Sequence, residues 1–328
     1  MRVLILGRRK HRISAEAGLY RALQRQGHQA WLIDDRKLRQ RIGTKAGSHW
    51  ILLRSRLLTP DRVLVFKPHD ITVAVMDEIA QRFKTTMWYR DLTVPPDPQL
   101  VRRAQKIDTV FLTAGGQAAE WEALGARRAL WLPDGADRDL DQPAEFDPKF
   151  ACDVAFIGRA VSPGDDYSRA EFLTRLSKRF HVRVWGQDWE RWATQLNWDG
   201  SAVYGRDFAK VCASAKIVID IKPSMWQPSL GVYASNRLVR QLSCRGFSLT
   251  RGTAENKQLF REGEHCSWYD TEDEAADKID YYIKNDAERS RVAATGAALV
   301  HKHHMLDNRL HNLLTGEAYR NPLQDVRS

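Results

Sequence analysis

The chain has 328 residues, 43% of them hydrophobic and 28% charged, with a formal net charge of +10. That length exceeds what one hydrophobic core usually organises and points to two domains of about 150 residues each. The longest apolar runs fall far short of the ~18 residues of a membrane span, and the N-terminus enters directly on a strand pattern, so neither a transmembrane helix nor a secretory leader is expected and the expected location is the cytoplasm.

Short apolar runs alternate with helical patterns along almost the whole chain, the signature of parallel sheets built from βαβ units. In the first half, strands are expected at 3–6, 29–33, 63–66, 86–89, 109–112 and 128–132, with helices near 14–26, 71–83, 98–106 and 116–124. Positive charge concentrates at the front of this half. Residues 1–50 hold twelve Lys/Arg against three Asp/Glu, whereas residues 251–300 hold seven against eleven. Such a field attracts polyanions or anionic headgroups, or is a solvated face without a partner.

Residues 134–150 carry prolines and acidic side chains without periodicity and read as a linker between a domain at 1–133 and a second at 151–300. In the second domain, strands are expected at 153–157, 182–185, 217–221, 247–249 and 266–268, with helices near 168–179, 206–214, 235–244, 254–262 and 271–285. The tail from 286 to 315 reads as wholly helical, and 301–328 forms a C-terminal helix and tail. Four dispersed cysteines, Cys152, Cys212, Cys244 and Cys266, form no CxxC pair, so reduced, buried thiols are expected rather than zinc ligands or disulfides.

Two doubly wound domains bind ligands outside the carboxyl ends of their strands, so chemistry is sought in the loops that follow strands. The first such loop, Gly7-Arg8-Arg9-Lys10-His11-Arg12, lacks a GxGxxG fingerprint and suits an anionic acceptor or a phosphate, or is a solvated loop, with Ser14 placed to cap the next helix. Residues 36–56 interleave cations with His49 and Trp50. That is the composition of a nucleic-acid platform, or of an amphipathic helix that packs Trp50, Leu52 and Leu53 inward. The next two strands end in Lys67, His69 and Asp70 and in Arg90 and Asp91. His69 and Asp91 at adjacent strand ends suit the orientation or deprotonation of an acceptor hydroxyl, although each also suits a helix cap or turn.

In the second half, Gly158-Arg159, Gly186 and Lys222 follow successive strands, where glycines admit a nucleotide and the cations meet a leaving diphosphate. The segment Ser235-Asn236-Arg237 through Gly246 reads as a helix that a serine caps and a glycine ends, leading into a buried strand. Its start is built to hold an anion, and a diphosphate fits best.

The order of these motifs resembles the glycosyltransferases of the spore-maturation (CgeB-like) type. The landmarks run from Leu64-Val-Phe-Lys67 and Trp88-Tyr-Arg-Asp91 through 108–113, 132–137, 153–159 and 184–186 to Ser235–Gly246 and Leu249-Thr250. The resemblance implies a GT-B fold, with two Rossmann-like domains facing a central cleft and a helical C-terminal tail. It implies a nucleotide-sugar donor on the C-terminal domain, held by Gly158, Arg159, Lys222, Ser235, Asn236 and Arg237. An acceptor would approach Arg8, Arg9, Lys10, His11, Trp50 and Lys67, with Asp91 and His69 as catalytic candidates. No cofactor and no obligatory metal are implied, since side chains and a helix N-terminus meet the diphosphate charge. The related helix usually carries a Glu where this chain has Arg240, and a guanidinium cannot accept ribose hydroxyl protons as a carboxylate does. The donor is then unusual or differently held, or activity is lost.

The expected function is therefore glycosyl transfer from a nucleotide sugar to a hydroxyl. The basic first 56 residues with Trp50 suit a modified base in DNA, as in phage genome glycosylation, which would place the protein in the host cytoplasm. The competing readings are a surface polysaccharide or lipid-linked acceptor, and a non-catalytic GT-B protein that binds nucleic acid.

Overall fold

The computed structural model describes residues 1–8, 13–161, 166–221 and 235–323. The chain divides into two compact units, residues 1–135 with 306–320 and residues 136–305 with 321–328.

The first unit is a six-stranded, all-parallel sheet in the order β2-β1-β3-β4-β5-β6. Its strands are β1 (Arg2–Leu6), β2 (Gln29–Ile33), β3 (Arg62–Val65), β4 (Thr85–Tyr89), β5 (Thr109–Leu112) and β6 (Ala129–Trp131). Between them run α1 (Ala15–Arg25), α2 (Asp35–Ile42), α3 (Thr44–Leu58), α4 (Val73–Arg82), α5 (Pro98–Ala104) and α6 (Ala118–Ala123). Successive strand residues enter opposite cores. Leu4, Leu6, Val63, Val65 and Met87 pack on one face, and Val3, Ile5, Leu64, Trp88 and Phe111 on the other. Because both faces are covered, the strands read as continuous apolar runs rather than alternating ones.

The second unit is a five-stranded parallel sheet in the order β11-β10-β9-β7-β8. It contains β7 (Cys152–Ile157), α7 (Ser168–Leu176), β8 (Val182–Trp185), α8 (Arg206–Ser214), β9 (Ala215–Asp220), α9 (Asn236–Ser243), β10 (Ser248–Arg251), α10 (Ala254–Leu259), β11 (Ser267–Tyr269), α11 (Glu272–Lys284) and α12 (Asp286–His303). Its two cores lie on either side of the sheet, one around Val154, Phe156, Val184 and Ile219 and the other around Ala155, Trp185, Val218 and Phe208.

The structure differs from the sequence reading in three places. The tail is not one helix: α12 ends at His303, where Met305 forms a parallel bridge to Ala136 and the His304 carbonyl accepts the Ala136 N–H at 2.9 Å. Pairing with a distant segment claims the backbone groups that a continuous helix would use. The next helix, α13 (Leu306–Thr315), belongs to the first unit, where Leu306, Leu310, Leu313 and Leu314 complete a core. Buried Arg309 fixes it by donating to the carbonyls of Pro133 at 2.7 Å and Asp134 at 3.0 Å. Secondly, 136–150 is part of the second unit rather than a free connection. Its Asp141 is buried and accepts a charge-assisted bond from Arg240 Nε at 2.9 Å. Thirdly, α3 buries Gly47, Ser48, Ile51, Leu52 and Ser55, while Trp50 and Leu53 point outward. Small residues let α3 lie close to its neighbours, and Ser48 Oγ accepts the Thr72 N–H at 3.0 Å, so this side is committed to packing.

All four cysteines are buried and free. Among the described residues no helix is long and apolar enough to cross a membrane, and no three His, Cys, Asp or Glu side chains gather to hold a metal.

Candidate functional site

Each sheet reverses its strand order beside its first strand, between β1 and β3 in one unit and between β7 and β9 in the other. The crevice outside the carboxyl ends of such a strand pair is where doubly wound folds bind ligands.

In the second unit this position is a charged cluster on an aromatic floor. Asp220, the last residue of β9, is fully buried, and Arg237 Nη1 lies 3.1 Å from its Oδ1. Thr250 Oγ1, at the end of neighbouring β10, donates to Asp220 Oδ2 at 3.2 Å, and Tyr269 donates its hydroxyl to the Asp220 carbonyl at 3.2 Å. The guanidinium of Arg237 stacks over the Phe156 ring at 4.9 Å, and that of Arg169 at 5.2 Å. Arg169 is buried and donates to the carbonyls of Arg159 at 2.8 Å and Ile221 at 3.2 Å, so it ties together the chain leaving β7 and the chain leaving β9. Burial, with the Arg237 charge adding to it, pushes the Arg169 pKa down to about 10. Two guanidinium groups against one buried carboxylate leave the cluster with surplus positive charge suited to an anion.

Helix α9 starts here because Ser235 takes the extended cap conformation and its Oγ accepts the Arg237 N–H at 3.1 Å. The positive end of the helix dipole thus lies at the same strand ends as Arg237. Gly158 borders the cluster, since a Cβ there would stand 3.4 Å from Arg237 Cζ. Gly186 supports Gly158: it has a φ of +147°, and a Cβ on it would fall 1.9 Å from the Gly158 carbonyl oxygen. Trp189 Nε1 donates to that same oxygen at 2.8 Å.

Of the expected donor residues, Gly158, Ser235, Asn236 and Arg237 are brought to these strand ends. Arg159 is there through its backbone, but its exposed side chain bonds Asp188 Oδ2 at 2.7 Å, and this departs from a guanidinium reserved for phosphate. Lys222 lies outside the described residues. Arg240 turns instead to buried Asp141 and stacks over the Phe208 ring at 4.2 Å. Burial works against its charge, and the Asp141 carboxylate more than offsets this, so its pKa is raised. The residue that departs from the family pattern therefore anchors the 136–141 segment to α9. Sequence reasoning missed Asp220, Arg169, Thr250 and buried Asn256, whose Nδ2 donates to the Arg251 carbonyl at 2.9 Å. The available signal was a charged residue closing the apolar run Ile217-Val-Ile-Asp220.

In the first unit Lys67, which takes a left-handed φ of 46°, forms an ion pair with Asp91. The expected acceptor cation and the expected base thus hold each other. His69 faces Asp97, with Nδ1 3.6 Å from Oδ2, and its pKa is lowered, chiefly by burial. It does not cap a helix: Thr72 caps α4, accepting the Val75 N–H at 3.4 Å. Arg103 donates to the His69 carbonyl at 3.2 Å and fixes this loop. Ser14 caps α1 as expected and donates to the Arg8 carbonyl at 3.2 Å. Arg9, Lys10 and His11 lie outside the described residues. Trp50 belongs to the outward face of α3, and no described contact joins it to Lys67, His69 or Asp91. One further group escaped the sequence reading. Asp35, following β2, is buried and has its pKa raised to about 7, by burial first and then by the nearby Asp70 charge, while Arg8 opposes.

A cavity of about 820 Å³ opens at the opposite end of the second sheet, beside the amino ends of β7, β9 and β10, and includes Cys152, Cys212 and Cys244 in its lining. Burial pushes the Cys152 thiol up to about 12, and the Cys244 thiol is raised by its hydrogen bond with Cys212 and by burial, so neither is a ready nucleophile. The polar convergence at the carboxyl ends, not this cavity, marks the site.

Residues 169–315 match the family model described as glycosyl transferase-like. No curated protein sequence matches the chain at a significant level. Among solved structures, it is similar to Anabaena Alr3699/HepE in complex with UDP, at 12% identity and a TM-score of 0.63, covering 97% of this chain and 100% of that one. It is also similar to sucrose-phosphate synthase from Thermosynechococcus elongatus, at 10% identity and a TM-score of 0.67, covering 95% and 98%. A glycosyltransferase from Rickettsia africae follows at 11% identity and a TM-score of 0.61, covering 95% and 96%. The two units carry the GT-B fold of these structures, and the glycosyl transferase-like match runs from α7 in the second unit to the end of α13.

Proposed function

We propose that the protein is a nucleotide-sugar-dependent glycosyltransferase that transfers a sugar to a hydroxyl acceptor. The observation that carries this reading is the convergence, at the β7/β9 switch point, of the capped start of α9 with Arg237 and Arg169. Leaving-group charge grows on a nucleoside diphosphate as the glycosidic bond breaks, and donors fixed in advance stabilise that charge without reorganising. Gly158, kept close by Gly186, gives backbone access to the nucleotide. The complex of HepE with UDP supports a uridine nucleotide as the first donor class to try.

On the acceptor side, His69, which burial favours in its neutral form, is the candidate to take the acceptor proton, while Lys67 and Asp91 would open their pair to meet an acceptor. The kinship with spore-maturation-type enzymes rests on motif order alone. The basic first 56 residues support an anionic acceptor, either a hydroxylated DNA base or a lipid-linked or surface saccharide. Nucleotide release from a panel of nucleotide sugars tests the transfer reading, with thermal shift against UDP, GDP, ADP and CDP beside it. Selective stabilisation by one nucleoside diphosphate, with release of the same nucleotide from its sugar conjugate, is expected. Absence of both would leave the non-catalytic reading.

A further inference from the structure

We infer that the outward face of α3 is a docking surface for an anionic lipid bilayer. Trp50, Leu53 and Leu57 are 40%, 54% and 65% exposed, large apolar side chains on one helix that have found no core to enter. With Ala46 they recur at the spacing of a single helical stripe, opposite the packed side formed by Ile51, Leu52 and Ser55. Exposed Lys45, His49 and Arg56 flank the stripe on one edge. On the other, Arg54 carries its guanidinium 5.7 Å from the centre of the Trp50 ring. Ile42, at the end of α2, adds another exposed apolar side chain.

Charge selects the occupant. Between Arg36 and Pro60 the sequence holds seven Lys/Arg and no Asp or Glu. Arg39 pairs with Asp70 and Arg56 with Glu78, whereas Arg36, Lys37, Arg41 and Lys45 have no ion-pair partner among the described residues. An apolar ridge of Trp and Leu edged by cations matches a bilayer surface: the ridge enters the boundary between headgroups and acyl chains, and the cations meet anionic headgroups. Duplex DNA would satisfy the cations but leave Leu53 and Leu57 in water. A second copy of the same face would bring like charges together along both edges of the ridge. In the transferase reading this face carries the enzyme to a lipid-linked acceptor. Docking itself needs no donor and no turnover, so the two ideas fail separately.

The test is co-flotation of the full chain, without any nucleotide sugar, with vesicles of phosphatidylcholine alone or containing about a third phosphatidylglycerol. Binding is expected to the anionic vesicles, to weaken with salt, and to fall about ten-fold or more in a Trp50→Ser/Leu53→Ser/Leu57→Ser variant. Because these side chains are exposed, the variant should melt as the parent does. An Arg41→Glu/Lys45→Glu variant, which leaves the ridge intact, should lose the preference for anionic vesicles. Equal flotation of parent and ridge variant would overturn the inference, as would no flotation at all. So would duplex DNA binding that the ridge variant reduces while vesicle binding is unchanged, or a lipid-free dimer that the ridge variant dissolves.

Discussion

Asp35 turns one buried carboxyl into a pH dependence of the whole fold. Its pKa moves from 3.8 to about 7 on folding, so the folded chain keeps a proton that the unfolded chain releases between those values. Stability contributed by this group is therefore full below about pH 4, falls as pH rises towards 7, and stays low beyond. Asp35→Asn retains an acceptor for the Arg36 N–H and should raise stability at pH 8 by up to about 4 kcal/mol, with a smaller gain at pH 5, in denaturant titrations at the two pH values. Arg237 poses a different problem, because its removal strands Asp220 as a buried charge. Arg237→Ala should cost about 3 kcal/mol, and adding Asp220→Asn should restore most of that while leaving nucleoside diphosphate binding weak. Recovery of binding along with stability would count against Arg237 as a phosphate ligand. Arg240→Glu should also destabilise the second unit by about 3 kcal/mol, since it sets two carboxylates together at Asp141. A neutral outcome in chemical denaturation would remove the anchoring role given to Arg240.

Among the elements, the β7–α7 and β8–α8 connections depend on each other through backbone approach rather than side-chain packing. Gly186 has no room for a methyl group against the Gly158 carbonyl oxygen, and its backbone lies in a region that side chains rarely adopt. Gly186→Ala should therefore push Gly158 out of register with Trp189 and lower stability by about 3 kcal/mol or more, read as a large fall in melting temperature. The capped start of α9 is less sensitive. Ser235 accepts a single backbone N–H, so Ser235→Ala should cost about 1 kcal/mol. Helix α3 illustrates a different kind of choice. Its small residues face the protein because Ser48 and Gly47 permit close approach, and that leaves its largest side chains outside.

For the whole molecule, the chain closes its first unit with its last helix. Leu306, Leu310, Leu313 and Leu314 fill a core that 1–135 cannot complete, and Arg309 pins the carbonyls of Pro133 and Asp134. Four buried leucines at about 2 kcal/mol each amount to the stability of an ordinary domain. A chain ending at His303 should consequently lose cooperative melting of the first unit and become protease-sensitive within 1–135, while the second unit keeps its own transition. Retention of a single parent-like transition would show that α13 is dispensable.

Local pattern was enough to reveal two parallel-sheet units, the positions of nearly all strands, the capped start of α9 and the glycines after β7 and β8. Those features follow from apolar run length, periodicity and cap chemistry, which act over a few neighbouring residues. Only the tertiary structure decided that α13 returns to the first unit, that Arg240 serves Asp141 and that Lys67 and Asp91 satisfy each other. It also placed Asp220 and Arg169 in the site and turned Trp50 outward. Each of these outcomes is set by residues distant in sequence competing for one partner or one patch of core, and no local pattern ranks such competitors.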